Sequence, residues 1–296
     1  MARRAQGSNQ YHTRVRSADV QAPAGDLMVQ GVADGPATWA RQHLAADTDV
    51  SRRALARMAR AEGWYVRRAV ALDHRATPSM LRRLAKDRHP EVRRAVAGNP
   101  ACPPKSLARL ADDEDSYIYS QALRHPQCPP QTLEHKATAG VGTMRSSVAE
   151  NPACPPEVLR LLAEDKNSRV VQGVAKHPNC PVQALIGLSL DNRAWVRREV
   201  ARNPNTLART LVRLLGDEDG DVRQAAAGNP NTPPDSLAQL LGDEDMVVRL
   251  VVALNPHTPP QVLVQLLTDD DADVRQLAAE NPNCPEEYRA LGRLAQ

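Results

Sequence analysis

The segment NPACPPEVLRLLAEDKNSRVVQGVA, residues 151–175, decides the fold of this 296-residue chain, because close copies of it follow one another along the sequence. The Asn-Pro pair recurs on a 26-residue spacing with no insertion or deletion, at Asn99, Asn151, Asn203, Asn229, Asn255 and Asn281. Asp73, His125 and His177 occupy three further steps of the same spacing. A constant internal period of this length is the signature of a structure built from stacked units.

Each copy contains two short apolar stretches with helical spacing. The first follows the prolines, as in PPEVLRLLA and PPQVLVQLL, and its leucines recur at i, i+3 and i+4. Proline suits the first turn of a helix, because its missing N–H would have no intrahelical partner there. The second stretch, such as RVVQGVA or DVRQLAA, ends at Asn-Pro, where proline disfavours a helical conformation of the preceding residue. The pattern therefore predicts two helices of about eight residues in each copy.

Helices this short require partners, since isolated helices below about 12–15 residues are marginal in water. Their leucine and valine faces are expected to be buried against the neighbouring copies, as in a solenoid. We therefore expect an all-α solenoid of about ten repeats over residues 37–296. Residues 1–36 lie outside the pattern and are predicted to form a flexible N-terminal tail.

The period excludes several common repeat classes. Ankyrin and tetratricopeptide units are about 33–34 residues long, and HEAT units are about 40–47. Ordinary leucine-rich repeats can be about 20–29 residues long, but they carry an L-x-L-x-x-N strand segment that is missing here.

The pattern NP-x-x-PP-x-x-L-x-x-L followed by D-x-x-x-x-VR-x-x-V-A resembles that of the leucine-rich repeat variant (LRV) proteins. It is clearest at residues 151–175, 229–252 and 255–278, and the resemblance covers roughly 47–296. The resemblance implies a right-handed superhelix without strands, in which an α-helix alternates with a shorter helix of 3₁₀ type. Some family members carry a cysteine-rich N-terminal segment that holds a four-iron, four-sulfur cluster. This chain has no cysteine before Cys102, so the cluster is not transferred to it.

Four cysteines recur at the same 26-residue spacing, at Cys102, Cys128, Cys154 and Cys180. The position continues as threonine in three later copies, and threonine directly before a helix is predicted to be an N-cap. Stacked helices lie about 8–10 Å apart, whereas a disulfide needs Cα atoms within about 7 Å. We therefore expect structural cysteines and no metal or other cofactor, and a metal or redox role is the alternative.

Arginine and aspartate also recur by position. The arginines are Arg67, Arg93, Arg145, Arg197, Arg223, Arg249 and Arg275, and the aspartates are Asp87, Asp113, Asp165, Asp191, Asp217, Asp243 and Asp269. A ladder of ion pairs and helix caps between successive turns is expected, and an arginine stripe for phosphate groups is the alternative. The DEDGD stretch at 217–221 resembles the start of a calcium loop, but Gly228 stands where a bidentate glutamate is needed.

Positions that differ between copies are the candidate binding residues. Aromatic side chains stand directly before the helical valine at Tyr65, Tyr117 and Trp195, with Tyr119 close by, and aromatic residues often anchor binding partners. Arg82, Arg83 and Arg94 belong to a set of arginines in the first copies that the repeat does not require. Packing at the edges of the turns and a solvated basic face are the alternatives for these two sets.

Charge is unevenly distributed along the chain. Residues 1–100 carry a net charge of +9, residues 101–200 of +1 and residues 201–296 of −7. This charge asymmetry affects which partners the chain can attract, and it does not determine the fold.

Function is predicted from these features and from what is missing. The sequence has no Walker motif, Rossmann glycine fingerprint, HExxH or nucleophile elbow, and no apolar run approaches the roughly 18 residues of a membrane span. We therefore expect a cytoplasmic, non-enzymatic scaffold that binds another protein, with no membrane association. A nucleic-acid-binding solenoid that uses the basic first copies is the alternative, and an iron–sulfur protein like some relatives is the second alternative.

Overall fold

Two helices alternate in every unit of the computed structural model, which describes residues 52–289. We name the first helix of each unit the A helix and the second the B helix. The A helices span Arg52–Met58, Pro78–Leu84, Pro104–Leu110, Pro130–Ala139, Pro156–Leu162, Val182–Leu188, Ala208–Leu214, Pro234–Leu240 and Pro260–Leu266. The B helices span Trp64–Leu72, Pro90–Ala97, Ser116–Arg124, Gly142–Ala149, Ser168–Lys176, Ala194–Arg202, Gly220–Ala227, Met246–Leu254 and Ala272–Glu280.

The predicted all-α solenoid is confirmed. No strand occurs within residues 52–289, and none of the helices there is long and apolar enough to cross a membrane. Of the A helices, the one at Pro234–Leu240 is a 3₁₀ helix and the others are α-helices. The predicted tail at residues 1–36 and the predicted start of the solenoid at residue 37 lie outside the described residues.

The core consists of the leucines of the A helices and the valines and alanines of the B helices. In the unit at 156–176, Leu159, Val170 and Val174 are all fully buried. Consecutive B helices make more extensive contact with each other than consecutive A helices do. The alanine near the end of the B helix permits this approach, and a Cβ added at Gly173 would lie only 2.9 Å from the Cβ of Ala149. The B helices are therefore the tightly stacked side of the solenoid.

The recurring asparagine joins each unit to the one before it. Asn229 is buried, and its Nδ2 donates to the carbonyl oxygens of Ala201 and Asn203 at 2.6 and 3.1 Å. Its Oδ1 accepts a hydrogen bond from the backbone N–H of Asn231 at 2.9 Å. Since the last carbonyls of a helix have no intrahelical partner, this side chain completes the end of the preceding B helix. Asn99, Asn151, Asn203 and Asn281 make the equivalent three bonds, and Asn255 makes two of them, to the carbonyl oxygen of Ala227 and from the backbone N–H of His257.

Histidine replaces this asparagine twice and keeps most of its bonding. Nε2 of His177 lies 2.8 Å from the carbonyl oxygen of Asn151, and Nδ1 accepts from the backbone N–H of Asn179 at 3.0 Å. His125 has the same arrangement with Asn99 and Gln127. A ring that accepts at Nδ1 and donates at Nε2 is the neutral tautomer with its proton on Nε2.

Aspartates begin several B helices, as the sequence predicts. Asp219, Asp245 and Asp271 are N-caps whose carboxylates accept backbone N–H groups of the first turn. This supplies hydrogen-bond partners to donors that would otherwise have none.

The predicted role of threonine at the cysteine position is wrong. Thr206 does not cap the helix that follows it, and its hydroxyl instead donates to the carbonyl oxygen of Val200, six residues earlier, at 2.6 Å. Thr232 and Thr258 make the equivalent bonds to Ala226 and Val252. The reason is that the next A helix begins one residue later, with Leu207 or a proline in the cap position. The threonine therefore closes the end of the B helix before it.

One unit departs from the pattern in its core. Lys136 stands where neighbouring units have Leu110 and Leu162, and although its side chain is charged, the residue is only 9% exposed. Its Nζ lies 2.5 Å from Oδ1 of Asp112 in the preceding unit. A buried lysine needs such a partner, because desolvation penalises an unpaired charge.

Candidate functional site

The recurring arginines and aspartates form the predicted ladder of ion pairs. Six of the seven recurring arginines each bind the aspartate of the next unit in a bidentate arrangement, with Nε–Oδ2 distances of 2.5–2.8 Å. The pairs are Arg67–Asp87, Arg93–Asp113, Arg145–Asp165, Arg197–Asp217, Arg223–Asp243 and Arg249–Asp269. In Arg223 the remaining nitrogen, Nη1, donates to the backbone carbonyls of Asp217 and Glu218. These guanidinium groups are therefore occupied within the solenoid and do not form a free stripe for phosphates.

The ladder is interrupted at two places, and at one of them both partners differ. Tyr119 replaces the arginine of its unit, and Ala139 replaces the aspartate that this arginine would bind. Val171 replaces another arginine, and Asp191 instead pairs with Arg193 of its own loop at 2.7 Å. The paired loss at positions 119 and 139 indicates that the two side chains serve each other.

The ladder lowers the pKa values of five of its aspartates. Burial by itself raises the pKa of Asp217, but hydrogen bonds from Arg197 and from the backbone N–H of Asp219 outweigh it and hold the pKa below its usual range. The same balance lowers the pKa values of Asp87, Asp243 and Asp269. The hydrogen bond from Arg145 is the largest influence on Asp165 and lowers its pKa. These carboxylates are therefore ionised and paired at neutral pH.

The regularly spaced cysteines are buried thiols. Cys102, Cys128, Cys154 and Cys180 are at most 3% exposed, and all of them are free. Burial raises the pKa of each of these four thiols to about 12. The thiolate is the form that attacks electrophiles and binds metals. A raised pKa keeps these thiols protonated at neutral pH, so their environment favours a role in core packing. Within residues 52–289, no three His, Cys, Asp or Glu side chains are grouped closely enough to hold a metal ion.

Several predicted binding residues come together on the B helices of the first three units. The guanidinium of Arg94 lies 5.0 Å from the ring centroid of Tyr117, which is 66% exposed. Glu91 lies between Arg94 and Arg68, at 3.7 and 3.3 Å. Tyr65 occupies the position on the first of these B helices that corresponds to Glu91 and Tyr117 on the next two. We define the N-terminal B face as Tyr65, Arg68, Glu91, Arg94 and Tyr117.

An aromatic stack adjoins this face. The rings of Trp64 and His89 are parallel, with centroids 4.1 Å apart, and Tyr65 meets Trp64 edge to face at 6.3 Å. Trp64 remains 37% exposed. The stack therefore fixes the orientation of an aromatic side chain that solvent and a partner can reach.

Two predicted residues lie elsewhere. Trp195 is half-buried, with the guanidinium of Arg193 5.2 Å from its ring, three units beyond Tyr117. Tyr119 is 8% exposed, and its hydroxyl is hydrogen-bonded to Thr143 at 2.6 Å. Tyr119 thus packs between units, and we leave it out of the proposed surfaces.

Arg82 and Arg83 lie in a separate groove at the loop edge of the first described units. The groove has a volume of about 760 Å³. It is also lined by Arg60, Lys86 and Arg88, which, like Arg82 and Arg83, form no ion pair with any described residue. Arg67 and Asp87, which also line it, are paired with each other, and Glu62 is its remaining acidic residue. We name it the basic groove. The predicted arginines therefore divide between two sites, with Arg94 on the N-terminal B face.

Sequence reasoning missed the stack of Trp64 on His89 and the pairing of Lys136 with Asp112. It also treated the recurring asparagine only as the end of a helix. The signal for the asparagine was present, since only Asp and His, which can also hydrogen-bond, replace it at the other steps of the repeat.

Comparisons with known proteins agree with this architecture. The family model described as leucine rich repeat variant matches residues 90–115, 220–245 and 247–271. A solved leucine-rich repeat variant with a novel repetitive structural motif is 23% identical, and the alignment covers 71% of this chain and 87% of that one with a TM-score of 0.53. No curated protein sequence matches the chain significantly.

Other solved structures match more weakly. An engineered protein is 19% identical over 80% of this chain and 96% of its own, with a TM-score of 0.26. A computationally designed armadillo repeat protein for modular peptide recognition is 18% identical over 86% of this chain and 98% of its own, with a TM-score of 0.16. These two scores carry no structural argument. The matched repeats and the solved variant confirm the resemblance at the level of the fold, and the chain has an all-helical repeat fold of the leucine-rich repeat variant type.

Proposed function

We propose that this protein is a cytoplasmic, non-enzymatic scaffold whose N-terminal B face binds an acidic segment of a partner protein. The observation that carries the proposal is the exposed ring of Tyr117 beside the guanidinium of Arg94. Tyrosine and arginine are enriched among the residues that dominate binding energy at protein interfaces. Neither residue is needed for the bonds that join the units.

Charge supports an acidic partner. Arg68 and Arg94 both approach Glu91, so this face presents two guanidinium groups to one carboxylate. A carboxylate of the partner can accept hydrogen bonds from the guanidinium edge of Arg94 while an apolar side chain packs on Tyr117. Trp195 lies three units away, so a partner that also reaches it must extend along the B helices.

The test uses substitutions that already occur at equivalent positions of the repeat. Arg94→Gln copies Gln224, and Tyr117→Thr copies Thr143, so both are compatible with the B helix. The probe is a fluorescently labelled glutamate-rich peptide with interspersed leucines, followed by fluorescence anisotropy. We expect the double variant to bind at least about tenfold more weakly. Absence of binding to the wild-type chain, or equal binding by the variant, would reject this site.

Nucleic-acid binding is the second candidate function, and the basic groove favours it. Five cationic side chains without ion-pair partners among the described residues surround one open volume there. Such a cluster attracts phosphate groups and makes affinity depend steeply on salt. The net charge of −7 over residues 201–296 restricts the contact to the first units.

A labelled single-stranded oligonucleotide tests this candidate. The variant Arg82→Ala/Arg83→Gln takes its residues from Ala108 and Gln239 at the equivalent positions. It should weaken binding and reduce the slope of log affinity against log salt concentration. The Arg94→Gln/Tyr117→Thr variant is the matched control and should leave oligonucleotide binding unchanged. If the oligonucleotide fails to bind at low salt, this candidate is excluded.

A further inference from the structure

The B helix Met246–Leu254 carries an apolar outer face. Met246, Val247 and Leu254 are 38%, 40% and 58% exposed. Leu250 and Val251 lie between them on the same side and are partly buried against the core. Exposed apolar residues that occur singly are normal on protein surfaces, whereas contiguous apolar patches mark interaction sites.

The fold does not require this face to be apolar. The five corresponding residues of the preceding unit are Gly220, Asp221, Gln224, Ala225 and Gly228. Those of the following unit are Ala272, Asp273, Gln276, Leu277 and Glu280. Both flanking units form B helices with these residues, so the apolar set at 246–254 has no role in helix formation or stacking that they lack.

The preceding unit leaves the face uncovered. A Cβ placed at Gly228 would lie 3.5 Å from Cγ1 of Val251, so the missing side chain leaves Val251 open on that side. The other nearby residues of this unit, Gly220 and Ala225, are also small. The result is a shallow apolar strip with Met246 at one end and Leu254 at the other.

Carboxylates surround the strip. Asp219, Asp245 and Asp271 lie at the starts of three consecutive B helices, and a Cβ at Gly220 would lie 2.7 Å from Oδ2 of Asp245. Asp273 and Glu280 lie on the following B helix. None of these five carboxylates forms a salt bridge within the described part of the chain; Glu280 accepts only from the amide of Gln276. The strip is therefore apolar along its centre and negatively charged at its rim.

We propose that this acid-rimmed strip is a docking surface for a segment of a partner protein that carries apolar side chains flanked by lysine or arginine. The apolar side chains would cover Met246, Val247 and Leu254, and the cationic groups would reach the carboxylates at the rim. Charge complementarity of this kind raises association rates and excludes acidic competitors. The surface is separate from the N-terminal B face, and its partner has the opposite charge.

The experiment uses a labelled amphipathic peptide of leucine and lysine residues, and the same peptide with every lysine replaced by glutamate. The variant Met246→Ala/Val247→Asp/Leu254→Glu copies Ala272, Asp273 and Glu280 and is therefore expected to fold. Leu190→Ala, at a leucine that is 67% exposed outside the strip, is the matched control. Circular dichroism and thermal melting check that both variants fold.

We expect the lysine peptide to bind the wild-type chain and the Leu190→Ala control, and to bind the triple variant at least about tenfold more weakly. Binding should weaken as salt is added, because the rim is exposed and screened. Equal binding of the lysine peptide by the triple variant would overturn the proposal. A loss of glutamate-peptide binding in the triple variant as large as the loss of lysine-peptide binding would also overturn it, because the N-terminal B face is unaltered there. If the triple variant fails to fold, the single change Leu254→Glu gives the same test.

Sedimentation of the peptide-free chain separates a partner segment from a second copy. We expect no self-association that depends on the strip. Concentration-dependent oligomers that the triple variant abolishes would show that a second copy occupies the surface and would overturn the partner-segment proposal. Because the N-terminal B face is unaltered in this variant, failure here leaves the proposed function untouched.

Discussion

Replacing Asn229 with alanine tests how much the recurring asparagines stabilise the solenoid. The side chain is buried and makes three hydrogen bonds, at 2.6, 3.1 and 2.9 Å. Alanine leaves two carbonyl oxygens and one N–H without these partners. At about 1 kcal/mol of net stability for each bond, we expect Asn229→Ala to lower the free energy of unfolding by about 3 kcal/mol.

Histidine at the same position is the matched comparison, because the chain already uses it. His177 retains two of the three bonds, one through Nε2 and one through Nδ1. Asn229→His should therefore cost about 1 kcal/mol when the imidazole is neutral. The cost should rise as the pH falls, because a protonated ring presents an N–H at Nδ1 to the backbone N–H of Asn231.

Urea unfolding followed by far-UV circular dichroism measures both variants at pH 8 and at pH 5.5. The expected order of stability at pH 8 is wild type, then Asn229→His, then Asn229→Ala. If Asn229→His were as unstable as Asn229→Ala at pH 8, the bonds would not be the source of the stability. If Asn229→Ala had the same free energy of unfolding as the wild type, the recurring asparagines would not stabilise the solenoid.

Three further predictions follow from the core and the charges. Lys136→Leu should raise the free energy of unfolding by about 1–2 kcal/mol in urea melts, since it replaces a buried lysine with the leucine found in neighbouring units, while the side chain of its partner Asp112 is 69% exposed and stays solvated. A thiol-reactive dye should label Cys102, Cys128, Cys154 and Cys180 rapidly only after the chain unfolds. The reason is that these thiols are buried and have pKa values of about 12. Rapid labelling of the native chain would contradict their burial. Asp217 and Asp243 have lowered pKa values in the folded state, so their contribution to stability is present above the unfolded pKa of about 3.9 and is lost as the pH falls through the lower folded values. Asp217→Asn should therefore flatten the acid side of a plot of melting temperature against pH, and an unchanged plot would contradict this account.

The helices and the ladder of Arg–Asp ion pairs were predictable from the sequence, because their signals are local or strictly repeated. Proline and the Asn-Pro pair mark the ends of the helices, and the spacing from Arg223 to Asp243 recurs through most units. The threonine prediction failed because a one-residue difference in where the A helix begins decides which backbone group the hydroxyl of Thr206 meets.

The candidate sites were only partly predictable. The sequence indicated that Arg82, Arg83 and Arg94 are not needed by the repeat, but their division between two surfaces depends on which helix carries each one. The helix MVVRLVVAL at 246–254 looks like core throughout, since valine and leucine occupy nearly every position. The repeat aligns Val248 and Val252 with the buried valines of other units, but only the packing of consecutive B helices shows that Val247 and Leu254 are left exposed.

We propose that residues shared by the units hold the solenoid together, whereas residues that differ between units bind partners. The most direct test is to titrate the labelled glutamate-rich peptide against the Arg94→Gln/Tyr117→Thr variant and to compare its melting temperature with that of the wild type. The account predicts an unchanged melting temperature and at least about tenfold weaker binding. Wild-type binding by a variant that melts at a lower temperature would contradict it.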